Sequence, residues 1–318
     1  MNKVDQCPIC SSADLKTIKE YTYNYPGDEV EENLKDPKYV RLWILFNKVL
    51  KTQSGSTKFK VNHCNQCSFI FTNPRFSEEE MALKYQTITE LGSVKKRVGG
   101  LYNVKNYAED RGKRFYSLIK DSYPDLKGKK ILDFGGQRGD NLLPFVNEMD
   151  CHILDYENWD LPDGITYKGQ TLSDLSEKYD VILFNHTLEH VVDPLKYVNT
   201  LKEYLNPGGI LYIEVPLGAF FWEWRRIKEP YTHVNFFSEK SLIKLLNLSG
   251  LETIHLSSKY QKLQPGLEWC INIVGKNSTS GSTGIAKGKS ATSHRLFSPY
   301  YYTIMAADRV LKRLGLGK

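Results

Sequence analysis

The chain has 318 residues, 41% hydrophobic and 25% charged, which is the balance of an ordinary globular protein with length for about two domains. No stretch approaches the roughly 18 uncharged apolar residues that span a bilayer. The start, Met1 to Cys7, lacks the basic-then-apolar order of a secretory signal. Collagen-like, disordered, membrane-spanning and secreted disulfide-framework classes are thereby set aside. Charge is uneven: from Lys276 onward eight basic residues face one acid, Asp308, leaving 35 of the 43 basic and 36 of the 37 acidic residues for the body. A near-neutral body lacks a nucleic-acid footprint and disfavours such a partner. The basic tail suits an anionic surface.

In chain order, Cys7-Pro8-Ile9-Cys10 is the first chemical signal, and Cys64-Asn65-Gln66-Cys67 repeats it. Without a secretion signal, such pairs read as metal ligands rather than disulfides. Two thiolate knuckles complete a tetrahedral set that suits structural zinc, since four sulfurs leave no open position. Between them Tyr21, Tyr23 and Tyr25 alternate as on a strand. Asp36-Pro37 then caps a helix that runs to Leu50 with Leu42, Phe46 and Val49 on its stripe. A strand over Ser68–Phe71, a turn at Asn73-Pro74-Arg75 and a capping box at Ser77–Glu80 follow. A helix from Asn106 to Asp121 ends before Pro124.

From Lys130 strands and helices alternate, which argues a parallel doubly wound sheet with its ligand site at the switch point. Strands are expected at Ile131–Phe134, His152–Asp155, Val181–Phe184, Ile210–Val215, Leu251–Leu256 and Trp269–Val274. Helices are expected at Asp140–Met149, Pro194–Leu205 and Ser238–Leu248. Cys151 and Cys270 fall in apolar strand contexts and read as inert core thiols. Residues 276–290 read as a Ser/Thr/Gly-rich linker. Residues 291–318 form a basic amphipathic tail helix, suited to self-association or peripheral membrane contact. The remaining divisions are 1–86 for the zinc-binding domain and 87–275 for the sheet domain.

The chemistry centres on Asp133-Phe134-Gly135-Gly136-Gln137-Arg138-Gly139-Asp140, which ends a strand and opens a helix. Glycines there allow close backbone approach to a ligand, and a helix N-terminus favours a negative group. Asp155 ends the next strand, where an acid can hold two ribose hydroxyls.

This turn resembles the first motif, Asp-x-Gly-x-Gly-x-Gly, of class I S-adenosylmethionine-dependent methyltransferases. Three further segments match in order: Asn185-His186-Thr187-Leu188-Glu189-His190-Val191 with Asp193-Pro194, then Leu205-Asn206-Pro207-Gly208-Gly209, then Tyr231-Thr232-His233-Val234-Asn235-Phe236-Phe237-Ser238. The N-terminal part is similar to the zinc-binding domain that precedes this fold in bacterial sugar and polysaccharide methyltransferases. There too the second knuckle leads into a segment like Phe71-Thr72-Asn73-Pro74-Arg75-Phe76.

The resemblance implies a Rossmann-like α/β fold, a seven-stranded methyltransferase sheet whose last strand is antiparallel. It implies S-adenosylmethionine bound by Asp133, Gly135, Gly136, Gly139, Asp155, Gln170, Thr171, Leu172 and Asn185, with zinc on Cys7, Cys10, Cys64 and Cys67. His190 and His233 are the implied proton acceptors. His186, Glu189, Tyr231, Trp222, Arg225 and Arg226 are candidates for holding a sugar, nucleotide-sugar or glycan acceptor, by stacking and by pairing with diphosphate. The sequence departs from the pattern at Gln137, where the family usually has glycine, and at Gln170, where an acid often meets adenine. Thr232 stands where related sugar C-methyltransferases have glutamate, and their long C-terminal domain has no counterpart here, which favours a sugar hydroxyl over carbon as the methylated site. The expected setting is cytoplasmic, with the tail at the inner membrane face. RNA base methylation, sugar C-methylation and a non-catalytic scaffold are the rival readings.

Overall fold

The computed structural model describes residues 1–27, 37–84, 86–87, 105–217, 233–263 and 266–278. Two sheets organise it. The N-terminal sheet has the order β1 (Leu15–Asn24), β2 (Ser56–Cys64), β3 (Ile70–Asn73), with β9 (Asn235–Phe236) on its far edge, all antiparallel. β9 arrives from far along the chain, so this sheet is completed by the segment carrying His233.

The larger sheet contains β4 (Lys130–Phe134), β5 (Asp150–Leu154), β6 (Ile165–Gly169), β7 (Tyr179–Asn185), β8 (Leu205–Pro216), β10 (Glu252–Leu263) and β11 (Gly266–Lys276). Its order is β10-β11-β8-β7-β4-β5-β6, with β11 antiparallel to both neighbours and the other pairings parallel. This is the expected seven-stranded Rossmann-like sheet with its last strand reversed. The order changes direction at β4, whose neighbours are β5 on one side and β7 on the other. A ligand crevice therefore opens beyond the C-terminal ends of β4 and β7.

The helices are α1 (Pro37–Ile44, continued by a wider turn over Leu45–Leu50), α2 (Lys105–Ser122), α3 (Pro194–Glu203) and α4 (Glu239–Leu248). Local chemistry sets their starts. The Asp193 side chain accepts from the Lys196 N–H with Pro194 at the first turn, and Ser238 closes a capping box with Ser241. Ser77 and Glu80 form the expected box before the short helix at 78–84. The stretch expected to be helical from Asp140 to Met149 is instead a 3-10 segment, Asp140–Phe145, that stops early. Pro144 lies inside it, and a ring without an N–H cannot carry an α-helical ladder onward.

The knuckles are not a separate bead. Cys7, Ile9, Cys64, Cys67, Phe69 and Phe71 belong to the same buried cluster as Leu132, Ile182, Leu211 and Leu242 of the large sheet and its helices. Phe69 packs against Phe237 with ring centroids 5.1 Å apart. The tyrosine row turns inward: Tyr23 meets Phe59 edge-on, and Tyr25 meets Phe46 of the inserted helix. That helix joins Phe76, Met81 and Val234 in its own cluster. Truncating Phe69 to alanine should cost about 3–5 kcal/mol. Because its cluster spans both sheets, denaturant unfolding should remain one transition at a lower midpoint; two separated transitions would show the modules to be independent.

Candidate functional site

The switch point gathers an unusual set of buried polar groups. Asp133, at the C-terminal end of β4, is 1% exposed; Asn141 donates to its Oδ2 at 3.0 Å, while Oδ1 has no partner among the described residues. Burial pushes the Asp133 carboxyl up to about 7 against that hydrogen bond and the nearby Arg111 charge. Asn185, closing β7, is buried with both amide atoms unpartnered among the described residues. Glu189 is buried too, with Oε2 unpartnered. Dry, unsatisfied polar atoms cost about 1–3 kcal/mol each, so three side chains of this kind at one crevice are shaped for a polar ligand.

The glycine turn sets the crevice's width. A Cβ on Gly136 would lie 2.8 Å from the Asp133 carboxyl, and one on Gly135, at φ +75°, would lie 2.8 Å from Thr187 Oγ1. Gln137, at the position where the family prefers glycine, keeps glycine's conformation with φ +49°. A left-handed L-residue costs roughly 1–2 kcal/mol. Its backbone N–H is what the conformation delivers, donating to Asp155 Oδ2 at 2.9 Å. Asp155 Oδ1 accepts from the Glu157 N–H and the Trp159 indole, so this acid is held at the edge of the crevice in one orientation. Gln170, Thr171 and Leu172 sit in the next loop. Asp174 Oδ2 accepts the N–H groups of Gln170 and Thr171, leaving both those side chains exposed.

Residues 186–192 form the opposite wall. His186 adopts φ +47° and its ring bridges two acids, Nδ1 to Glu189 Oε1 at 3.5 Å and Nε2 to Glu214 Oε1 at 3.2 Å. Burial alone would lower the His186 imidazole; hydrogen bonds with Cys270, Glu189 and Glu214 outweigh it and hold the ring well above the usual histidine range. His186 thus lies between two carboxylates that favour its protonated form, and Arg111 adds a cation 3.3 Å from Glu214. Cys270 is fully buried, as its strand context suggests, with its sulfur 3.8 Å from His186 Nε2.

The two expected proton acceptors come together: the His190 and His233 rings stand edge to face with centroids 4.6 Å apart. Burial, with the neighbouring His190, presses His233 down to about 3. Glu189 is held at about 2, its burial offset by His186, His190 and His233. The pairing rests on backbone bonds, because the N–H groups of Val234 and Asn235 both donate to the Glu189 carbonyl, at 3.0 and 3.1 Å.

Sequence reasoning passed over the residues that hold this wall in place. Arg75 is 5% exposed and donates to the carbonyls of Val191, Val192 and Val234 and to Asn235 Oδ1 at 2.8 Å. Burial lowers its guanidinium to about 10, which leaves it charged at neutral pH. Asn235 Nδ2 donates in turn to the carbonyls of Leu188 and Val191, at 2.9 and 2.7 Å. The only signal was position: Arg75 follows the turn after the second knuckle, and Asn235 follows His233 by two residues. Tyr231, Trp222, Arg225 and Arg226 lie outside the described residues, as do the linker beyond Ser278 and the tail.

The thiolate cluster is built from two like turns. In each, the residue after the second cysteine has a left-handed φ (Ser11 at 56°, Ser68 at 59°) and donates its N–H to the carbonyl of the first cysteine. Each first cysteine also donates its N–H five residues ahead, Cys7 to Ser12 and Cys64 to Phe69. The Cys7–Cys67 and Cys10–Cys64 sulfurs are 3.6 and 3.5 Å apart, and all four lie within 4.8 Å of one another. Zinc–sulfur bonds of about 2.3 Å imply tetrahedral edges of about 3.8 Å, so these four residues fit a zinc ion.

Residues 107–256 match the family model described as a methyltransferase domain. The match takes in just under half of the chain, so that segment is similar to a methyltransferase domain. The chain is 29% identical over 119 residues to a ubiquinone biosynthesis O-methyltransferase from Haemophilus ducreyi, covering 31% of this chain and 50% of that protein. A ubiquinone biosynthesis O-methyltransferase from Cereibacter sphaeroides is 42% identical over 50 residues, 15% of this chain and 20% of that protein. A tRNA U34 carboxymethyltransferase from Campylobacter hominis is 27% identical over 114 residues, 31% of this chain and 40% of that protein. The matches thus span half or less of these relatives' lengths. Among solved structures, magnesium protoporphyrin IX methyltransferase from Synechocystis, with S-adenosylhomocysteine bound, superposes at TM-score 0.46 and 15% identity over 63% of this chain and all of that one. No helix among the described residues is long and apolar enough to cross a membrane.

Replacing Arg75 with methionine strands its carbonyl and amide acceptors inside the protein and should cost about 3 kcal/mol or more. Arg75→Lys should recover little, because one ammonium cannot span acceptors set around a planar fork. Chemical denaturation of both variants checks this; a lysine variant of wild-type stability would show the fork to be dispensable.

Proposed function

We propose that this protein transfers a methyl group from S-adenosylmethionine to a hydroxyl of a sugar, either nucleotide-linked or on a growing surface glycan. The observation that carries the reading is the switch-point crevice, where the glycine turn and the unsatisfied Asp133 and Asn185 face the histidine wall across Thr187. When bound, S-adenosylmethionine supplies a methyl group on a sulfonium, already activated for in-line displacement. Gly135, Gly136 and Gly139 admit it, Asp155 suits its ribose hydroxyls, and Asp133 Oδ1 suits its ammonium. The 170–172 loop suits the adenine.

A sugar hydroxyl is a weak nucleophile and needs alignment and a proton acceptor. His186 is unsuited to that task because both of its ring nitrogens already face carboxylates, Glu189 and Glu214. His190 is the suited acceptor, since a proton it takes up is stabilised by Glu189 Oε1, 3.9 Å from its Nε2. His233, pressed down to about 3, stays neutral and suits positioning of the acceptor hydroxyl. The four cysteines hold a structural zinc that fixes β3, and β3 fixes the His233 segment through β9. The near-neutral body supports a sugar over RNA as acceptor, and the basic tail supports a cytoplasmic setting near the inner membrane face.

The deciding experiment incubates the zinc-loaded protein with methyl-labelled S-adenosylmethionine and extract of its own cells, with and without nuclease. Label in a nuclease-resistant sugar or glycolipid fraction, lowered at least a hundredfold by His190→Ala, is the expected result. Label lost to nuclease would replace the sugar with RNA. No transfer, together with no binding of S-adenosylhomocysteine, would leave a scaffold.

Cofactor binding should also carry a proton signature. Asp133 is protonated below about pH 7 in the free protein, and a ligand ammonium favours its ionised form, so binding there releases a proton. Affinity for S-adenosylhomocysteine should therefore rise with pH up to about 7 and then level off. At pH 6 the calorimetric enthalpy should vary with the ionisation heat of the buffer. Asp133→Asn should abolish that variation; its persistence would place the ammonium elsewhere.

A further inference from the structure

Apart from the thiolate cluster, one more set of metal-ligating atoms converges among the described residues. Glu189, His190 and His233 each offer one ligand atom, and these atoms lie within 4.8 Å of one another. Proximity alone would be weak grounds, but the carboxylate adds an independent feature. Glu189 is 2% exposed; its Oε1 faces His186 Nδ1 at 3.5 Å and His190 Nε2 at 3.9 Å, whereas Oε2 has no partner among the described residues. A buried carboxylate oxygen without a donor is costly, and burial of a charge is tolerated when it is paired or coordinates a metal.

The ligands are also held in advance of any ion. Glu189 is fixed through its carbonyl by the N–H groups of Val234 and Asn235, which anchors the His233 segment against the Glu189-His190 segment. Asn235 and Arg75 brace the carbonyls on either side, at Leu188, Val191 and Val192. His186 orients the carboxylate from behind, the supporting arrangement that metal-binding carboxylates need. Two imidazoles and one carboxylate are a donor set that suits zinc, iron(II), cobalt(II) or manganese(II), and three protein ligands leave coordination positions open. The site adjoins the glycine turn, since the His190 N–H donates to the Thr187 carbonyl and the Thr187 hydroxyl abuts Gly135.

We propose that Glu189, His190 and His233 bind a divalent metal ion whose open positions take oxygen donors of the acceptor; with the ion bound, these imidazoles are ligands, and the acceptor hydroxyl is made acidic by the ion in place of a free imidazole base. Sugars offer such oxygens on neighbouring carbons, so the ion would select acceptors with paired oxygen donors over those with an isolated hydroxyl. The acceptor part rests on the methyltransferase reading; the ion site does not.

Cobalt(II) is the probe, titrated anaerobically into the full-length protein after elemental analysis confirms one zinc per chain in the thiolate cluster. The expected result is one further cobalt per chain, with weak visible bands and none of the intense charge-transfer absorption of cobalt on thiolate. Glu189→Gln and His233→Gln should each weaken that binding at least a hundredfold while keeping the single zinc and the wild-type affinity for S-adenosylhomocysteine. Should Glu189→Gln fail to fold, His190→Gln takes its place in the comparison. Wild-type protein that binds S-adenosylhomocysteine but no second metal overturns the site and leaves the methyltransferase reading standing. Cobalt binding undiminished in the folded variants overturns it as well. Cobalt bound as expected without any S-adenosylhomocysteine binding keeps the site and sinks the methyltransferase reading instead.

Discussion

The contact between Arg75 and the 188–192 segment is the constraint on which the rest depends. One buried guanidinium gathers carbonyls from two segments and the amide oxygen of Asn235, and no other side chain has enough donors in a rigid fork to do so. Arg75 is fixed by its own backbone pairing with Asn2 in both directions. The N-terminal residues, the turn after β3, the histidine wall and the start of β9 are therefore one mechanical unit. Through these bonds the N-terminal module holds the histidine wall against the large sheet.

Electrostatics at the same place follow a consistent pattern of neutralisation. Glu214, fully buried, sits beside Arg111 and His186, which hold it at about 2 against its burial. His186 then shares its charge with Glu189. Removing any one member leaves a buried charge whose desolvation is no longer offset. The charges of the wall are thus balanced pairwise, Glu214 by Arg111 and His186, and Glu189 by His186.

Much of this was legible in the sequence because the signals are local. Paired cysteines, a glycine turn after an apolar strand and an acid at the end of the next strand each declare themselves within a few residues. Their order along the chain placed six strands of the large sheet, and the family resemblance implied the seventh. What escaped was set by distance or by weak amphipathicity. Arg75 in a Pro turn reads as a solvated surface residue, and its partners lie more than a hundred residues away. In β2, Phe59 and Val61 alternate with lysines, and in β6 only Ile165 is buried, so neither presents an apolar run. The expected helix after the glycine turn failed for a local reason in plain view, the ring of Pro144.

The pairing of β9 with β3 also bears on how the chain is made. Val234, which receives the N–H of Thr72, follows it by 162 residues. On a ribosome the N-terminal sheet therefore emerges with one edge open and waits for most of the large sheet to be synthesised before that edge is closed. An exposed edge strand is an invitation to foreign pairing, and β3 is short and apolar, IFTN with its first three residues buried once folded. Contacts so far apart in sequence also slow folding, since the loop must close before they are rewarded. The same two-residue strand that fixes the His233 segment in the finished protein is, during synthesis, the last piece to seal the N-terminal sheet.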